Sequence, residues 1–323
     1  MKIGRSVRND YPIGLIVDIH DYCNADCKMC PYKSLHKKLD QGKMDWLLYR
    51  KIIDDFSELI DRYKFKGMVT YCNMGEPFIE ENLFKYTNYA EQKGISIYIN
   101  TNASLITPAK LNRLLRSGFH GSFNISFHAA SKELYKDLMG LDQEKSLKNI
   151  EYLSANYSKE KISINALRYQ WPPYEEENLR SLFNKMGLKI GINTPNSRAG
   201  LLALYRRSLN QRISGCWPER VLYQMVITHT GDVLLCCNDM ARKAVVGNLK
   251  EKSIQQIWNG RIFRDYLEKI YLGKPSPPNF ICKLCEESVS YWSIRRIIKS
   301  LLPEKLLEFI RSKRKKDWIL SST

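Results

Sequence analysis

The chain reads as an α/β protein built on a parallel sheet of about six strand-helix units, followed by a smaller second region. Segments with period-two apolar alternation trade places with segments of helical period through residue 192. The alternation then stops in the turn-rich run 193–200, Asn-Thr-Pro-Asn-Ser-Arg-Ala-Gly. Beyond it stand a hairpin-like segment and a second set of cysteines. Six units suit an incomplete barrel or a wound sheet, and 323 residues accommodate a domain of about 200 to 250 residues with an appendage.

The first strand spans 13–20, where Ile13, Leu15, Val17 and Ile19 alternate with their neighbours, and it runs directly into a cysteine loop. Residues 44–63 have helical spacing, with Leu48, Ile52, Phe56 and Leu59 on one side and Asp45 as the cap or first-turn acid. Strands follow at 67–73, 95–100, 122–127, 161–166 and 188–192, separated by helices at 81–92, 108–117, 143–156 and 174–186. Thr107 is the N-cap and Pro108 the first residue of the helix over 108–117. In the second region, 221–235 reads as a hairpin turning at Thr230-Gly231-Asp232, and 253–271 as one helix.

Apolar residues make up 44% and charged residues 26%, and no run approaches the roughly 18 uncharged apolar residues of a membrane span. The polar N-terminal segment lacks an apolar signal core, so a cytoplasmic address is expected. Nine cysteines in such a chain point to metal ligation rather than disulfides. The net charge of +17 suits nucleic acid, an anionic membrane face or an acidic partner, and charge alone does not choose among them.

Cys23, Cys27 and Cys30 are separated by three and then two residues on a loop leaving a strand end. Three thiolates are one short of the usual four for a 4Fe-4S cluster, which leaves one iron open to an outside ligand. A zinc knuckle completed by His20 or His36 is the competing reading. The Cys-x3-Cys-x2-Cys spacing followed by Pro31-Tyr32 resembles the radical S-adenosylmethionine superfamily, whose fold is a partial (β/α)6 TIM-like barrel. That resemblance implies a 4Fe-4S cluster on the three thiolates and S-adenosylmethionine chelating its open iron. Tyr32 would then pack near the adenine.

Asn73-Met74-Gly75-Glu76-Pro77 resembles the family's Gly-Gly-Glu-Pro motif, with Met74 in place of the first glycine. The resemblance assigns Gly75, Glu76 and Pro77 to the cofactor, with the Glu76 carboxylate accepting from its ammonium group. Thr101-Asn102-Ala103 and Ile125-Ser126-Phe127 resemble the family's Thr-Asn-Gly and Ile-Ser-Leu, placing Asn102 and Ser126 toward the cofactor's ribose or carboxylate. All lie at C-terminal strand ends, where parallel sheets gather ligands. Asn165 and Arg168 end strand five, and a buried Arg168 would suit a carboxylate or a hydroxylated substrate. His128 is either a proton acceptor or a packed histidine. By residue chemistry alone, these polar positions also suit turns and caps.

Cys216, then Gly231 and Cys236 four residues beyond it, then Cys282-x2-Cys285 resemble the C-terminal extensions called SPASM and twitch. Tyr291 and Arg295 stand where a full SPASM pattern carries two more cysteines, which implies the twitch form with one auxiliary 4Fe-4S cluster on Cys216, Cys236, Cys282 and Cys285. Cys237 is an alternative to Cys236, a four-cysteine zinc ribbon is an alternative centre, and Cys72 reads as a packed core thiol.

The expected organisation is a radical core over 1–200, an auxiliary domain of a β-hairpin plus helix over 201–290, and a basic amphipathic tail over 291–323. The tail suits peripheral contact with the inner membrane face or a helix covering the core; nucleic acid is not among the expected partners. The resemblance implies reductive cleavage of S-adenosylmethionine to a radical that abstracts hydrogen, with the auxiliary cluster accepting an electron. An electron donor such as flavodoxin or ferredoxin is implied too. Only 22 residues precede Cys23, too few for the peptide-recognition domain of many peptide maturases, which favours a small sugar- or cyclitol-like substrate and a dehydrogenase. The alternatives are a peptide- or protein-modifying maturase and, in another class, a non-catalytic metal-binding scaffold.

Overall fold

The computed structural model describes residues 2–3, 6–203 and 213–290. Its parallel sheet follows the alternation of the sequence. The strands are β1 (Gly14–Val17), β2 (Met68–Tyr71), β3 (Ser96–Thr101), β4 (Ser122–Ser126), β5 (Ile162–Leu167) and β6 (Lys189–Asn193). Between them run α1 (Trp46–Tyr63), α2 (Leu83–Gln92), α3 (Pro108–Arg116), α4 (Lys132–Met139), α5 (Gln143–Asn156) and α6 (Glu175–Lys185). Each strand pairs in parallel with the next in chain order, from Gly14↔Met68 to Leu167↔Asn193, so the sheet is an open, partial barrel.

Alternation decides which side of each strand meets the helices. Leu15, Val17, Val69, Tyr71, Ile97, Ile99, Phe123, Ile125, Ile162 and Ile164 are buried, whereas Ile16, Thr70, Asn100, Asn124 and Asn165 on the other face are half-buried. Burying one large apolar side chain contributes about 1.5–3 kcal/mol, so this face dominates the stability of the sheet. The cap of α1 is as expected: Asp45 accepts from the N–H groups of Leu47 and Leu48 at 2.9 and 3.1 Å.

The second region joins the same sheet. Its strands are β7 (Ile213–Cys216), β8 (Gln224–Ile227), β9 (Asp232–Leu234), β10 (Val245–Asn248) and β11 (Ser288–Ser290). The expected hairpin forms from β8 and β9, and β8 also pairs in parallel with β1, from Gln224↔Gly14 to Ile227↔Val17. The result is one nine-stranded sheet ordered β10-β9-β8-β1-β2-β3-β4-β5-β6.

Two helical readings differ from the sequence. The single helix expected over 253–271 is two, α7 (Ile254–Trp258) and α8 (Arg261–Tyr271), because the chain turns at Asn259-Gly260, where an added Cβ would lie 2.9 Å from the Gln256 carbonyl oxygen. Helix α4 was not foreseen; Ser131 caps it and Gly140 ends it in the left-handed region at φ 68°. The carbonyls at its C-terminal end are used by the cysteine loop: Asp26 N–H donates to the Met139 oxygen and Lys28 N–H to that of Leu138, both at 2.9 Å. The basic tail, 291–323, lies outside the described residues. Among the described residues no helix is long and apolar enough to cross a membrane.

Gly140 tests this docking, because a Cβ there would stand 3.0 Å from the Asp26 Cβ. Gly118 has φ +84° and open space around the same position. Gly118→Ala is expected to cost about 1–2 kcal/mol of left-handed strain in urea denaturation. Gly140→Ala is expected to cost more than Gly118→Ala, and equal losses would show that the loop does not press on α4.

Candidate functional site

The loop after β1 is held from three sides. At its start the buried Asp18 carboxylate accepts from the Asn73 and Met74 N–H groups at 2.7 and 2.9 Å, tying the ends of β1 and β2 together. Gly75, at φ +115°, lets the chain pass the loop so closely that a Cβ would stand 3.0 Å from the Tyr22 oxygen. The next N–H, of Glu76, donates to that same oxygen at 2.8 Å. Further on, Asn102 donates to the side chain of Asn24 at 3.0 Å, and Asn24 donates to Ser104 at 2.9 Å. Cys23 N–H and the Gln41 amide both donate to the Tyr32 hydroxyl at 2.9 Å.

Within this frame Cys23, Cys27 and Cys30 are free thiols whose charges act on one another. Burial pushes Cys23 up to about 12, and also raises Cys27 and Cys30. Such thiols are protonated near neutrality, and a metal must displace those protons.

Several sequence-assigned residues hold the frame. The Glu76 carboxylate accepts from Phe78 N–H at 3.1 Å, the Thr101 hydroxyl at 2.7 Å and Asn102 N–H at 2.7 Å. Burial raises both Glu76 and Asp18 to about 7. Pro77 opens a short turn, Pro77–Ile79, behind Glu76. The Tyr32 ring stacks on His36 at 5.3 Å.

Ser126 sits on the concave face in register with Asn165. Arg168 is not buried as its assignment anticipated: its side chain is 58% exposed and pairs with Glu176 in the first turn of α6. Because β5 ends at Leu167, the Arg168 side chain leaves the sheet toward that helix. His128 is a packed histidine. Its Nδ1 accepts from Leu167 N–H at 3.2 Å, and burial lowers it to about 4.

Sequence reasoning missed an amide ladder across the concave face. Asn124 donates to Asn100 at 3.0 Å, Asn100 to the Cys72 oxygen at 3.4 Å, Ser163 to Asn124 at 3.4 Å and Asn193 to Asn165 at 3.1 Å. The strand alternation carried the signal, since Asn100, Asn124 and Asn165 occupy the phase opposite the buried isoleucines.

The second cysteine set assembles by strand pairing. β7 and β11 pair antiparallel with Ser288 opposite Cys216, and Trp217 N–H donates to the Glu287 oxygen at 2.8 Å. Cys216 therefore faces the Cys282–Cys285 turn. Burial pushes Cys216 up to about 12 and Cys285 up to about 11, and raises Cys236 and Cys282 well above the usual thiol range. The Cys236 thiol feels its neighbour Cys237 first, then Cys282 and Cys216, while Cys237 also acts on Arg220 and Tyr223. The Asp21 carboxylate links the two sites, accepting from Gly42 N–H at 2.8 Å and pairing with Arg242 at 2.8 Å.

Among the described residues no three His, Cys, Asp or Glu side chains close on one metal ion. A multi-iron cluster bound by one sulfur per iron does not require that convergence.

A model of the radical SAM superfamily matches residues 17–170, and a model of an iron-sulfur cluster-binding domain, SPASM, matches 216–286. The chain is 26% identical over 280 residues to the S-adenosyl-L-methionine-dependent 2-deoxy-scyllo-inosamine dehydrogenase of Niallia circulans, covering 83% of this chain and 90% of that one. Its fold is similar to that of BtrN in complex with AdoMet and 2-DOIA, with TM-score 0.56, 22% identity, and 86% and 93% of the two chains covered. It is also similar to Streptococcus suis SuiB bound to precursor peptide SuiA, with TM-score 0.62, 16% identity, and 86% and 70% covered.

Asp18 and Glu76 make stability depend on pH. Their ordinary values, 3.8 and 4.5, rise to about 7 in the folded chain, so between about pH 4 and 7 the folded state binds more protons than the unfolded one. Their contribution to stability falls as pH rises through that window and is level above it. Asp18→Asn keeps an oxygen for the Asn73 and Met74 N–H groups, and is expected to shrink the difference between urea midpoints at pH 5 and pH 8 in the cluster-free chain. An unchanged difference would show that Asp18 does not titrate in that window.

Proposed function

The chain belongs to the radical SAM superfamily and carries an iron-sulfur SPASM domain, and from this we propose that it dehydrogenates a small, neutral, hydroxylated substrate held on the concave face of its sheet. Cys23, Cys27 and Cys30 would hold the 4Fe-4S cluster that binds S-adenosylmethionine, and Cys216, Cys236, Cys282 and Cys285 the auxiliary cluster. The donor sets fit these groups: three free thiols within electrostatic reach of one another on a braced loop would leave an iron open, and four half-buried thiols would complete a closed centre. When bound, these groups would supply a 5'-deoxyadenosyl radical to remove a hydrogen atom from the substrate carbon and a one-electron acceptor for the oxidation, the hydroxyl proton passing to a base or water.

The observation that carries the substrate class is the ladder of Asn100, Asn124, Ser163, Asn165 and Asn193. A hydroxyl both donates and accepts, and so does an amide; a row of neutral amides matches a ring of hydroxyls without the desolvation cost of a charge. Such a face also rejects analogues lacking a hydroxyl, since its polar groups would be left unpaired. The dehydrogenase of Niallia circulans carries a cyclitol in its name, in agreement with this class. A net charge of +17 favours an acidic electron donor such as flavodoxin or ferredoxin.

Anaerobic reconstitution with iron and sulfide is expected to yield a chain that makes 5'-deoxyadenosine from S-adenosylmethionine in a dithionite-dependent reaction. Cys27→Ala should abolish it; Cys282→Ala should retain cofactor cleavage and lose the oxidised product. With a panel of cyclitols, aminocyclitols and a peptide, Asn124→Leu should raise KM for the accepted cyclitol roughly fivefold, the worth of about 1 kcal/mol in one hydrogen bond. A colourless protein that takes up only zinc would sink the enzyme reading, and turnover of the peptide alone would sink the substrate class.

A further inference from the structure

Asn238 is buried beside the second cysteine set and makes contacts on both sides of its amide. Its Nδ2 donates to Cys285 Sγ at 3.6 Å and to the Glu287 carboxylate at 3.0 Å. Its Oδ1 accepts from Asn196 at 3.4 Å and from the Arg198 guanidinium at 3.3 Å. Two acceptors on one side and two donors on the other determine the amide orientation, because a flip would oppose like groups at all four contacts. The backbone N–H of Asn238 is directed at a second sulfur, that of Cys236.

The segment carrying Arg198 is built to stay in place. Arg198, Ala199 and Gly200 are successive residues in the left-handed region, at φ 49°, 52° and 86°. Ser197 anchors the strained turn through its hydroxyl, 2.5 Å from the Glu286 carboxylate beside Cys285. Such strain persists only where surrounding contacts over-determine it.

The same segment reaches the first cysteine set. Leu201 packs with Cys30, Met74, Met240 and Ala241 in one small apolar cluster, and the Arg198 charge acts on the Cys30 thiol. Arg198 thus acts on Cys30 through its charge and hydrogen-bonds the amide that touches Cys285.

We propose that Asn238 is a positioning residue that sets the reduction potential of the auxiliary centre, and that Arg198 makes this setting common to both cysteine sets. An N–H group donated to a thiolate, or a cation near it, favours the more negative, reduced cluster and so raises its potential. Arg198 does so at Cys30 through its charge, and at Cys285 by fixing the Asn238 amide. The proposal rests on the ligand assignment given above.

Reduction potentials of the reconstituted full chain, followed by electron paramagnetic resonance, test it. Cys23→Ala, Cys27→Ala and Cys30→Ala together isolate the auxiliary centre, and its iron content checks the ligand assignment separately. In that background Asn238→Leu is expected to lower the reduced-to-oxidised ratio at fixed potential about tenfold, a shift of about 59 mV for one electron. Arg198→Met should move it in the same direction by less. With Cys216→Ala and Cys282→Ala isolating the first centre, Arg198→Met should lower that midpoint too, Asn238→Leu should leave it unmoved, and Arg198→Lys should restore most of the loss. Unmoved midpoints at full iron content overturn the proposal. If Asn238→Leu fails to hold iron, Arg198→Met decides alone, and an unmoved midpoint at both centres overturns it.

Discussion

The buried carboxylate of Glu76 joins the ends of β2 and β3 to the cysteine loop, and the site depends on that junction. One residue supplies a backbone N–H to Tyr22 and a side chain to Phe78, Thr101 and Asn102. Hydrogen bonds to a charged group are each worth about 1.5–3 kcal/mol, but burying the charge costs a comparable amount, and the rise of Glu76 to about 7 is the trace of that opposition. Asn102 passes the constraint on to Asn24, inside the cysteine loop. The motif residues that resemblance assigns to the cofactor therefore also shape the loop that carries the thiols.

A second constraint comes from the sheet. Because β8 pairs with β1, the auxiliary region is anchored to the strand that delivers the first cysteines, and Asp21 and Arg242 close the junction at the strand ends. The two thiol sets are thereby related through backbone hydrogen bonds rather than through a flexible linker. That rigidity suits paired redox centres, whose coupling depends on fixed separation.

All seven thiols are half-buried, with their pKa raised by desolvation, and they stay uncharged until metal displaces their protons, so loading is linked to pH and to folding. The concave face offers neutral amides instead of charges. Radical abstraction needs no ionised partner at the substrate carbon, and neutral amides can orient hydroxyls by direction of hydrogen bonding alone.

The sequence by itself determined the alternation of the six strands with five of the helices between them, the cap at Asp45, the hairpin of β8 and β9, and both cysteine sets with their spacing. These are local properties: periodicity, capping and loop spacing act over a few residues and are written in order along the chain. Tertiary structure alone decided that β8 would pair with β1, that Asn24 would meet Asn102, that Arg168 would turn outward to Glu176, and that Arg198 would bond Asn238 within electrostatic reach of Cys30. Each brings together residues from separate elements, and no local pattern specifies which strand edges or side chains will meet. The amide ladder lies between the two cases. Its phase along each strand is local and legible, but its cross-strand bonds, Asn100 to Asn124 to Ser163 and Asn165 to Asn193, exist only once parallel pairing sets the register.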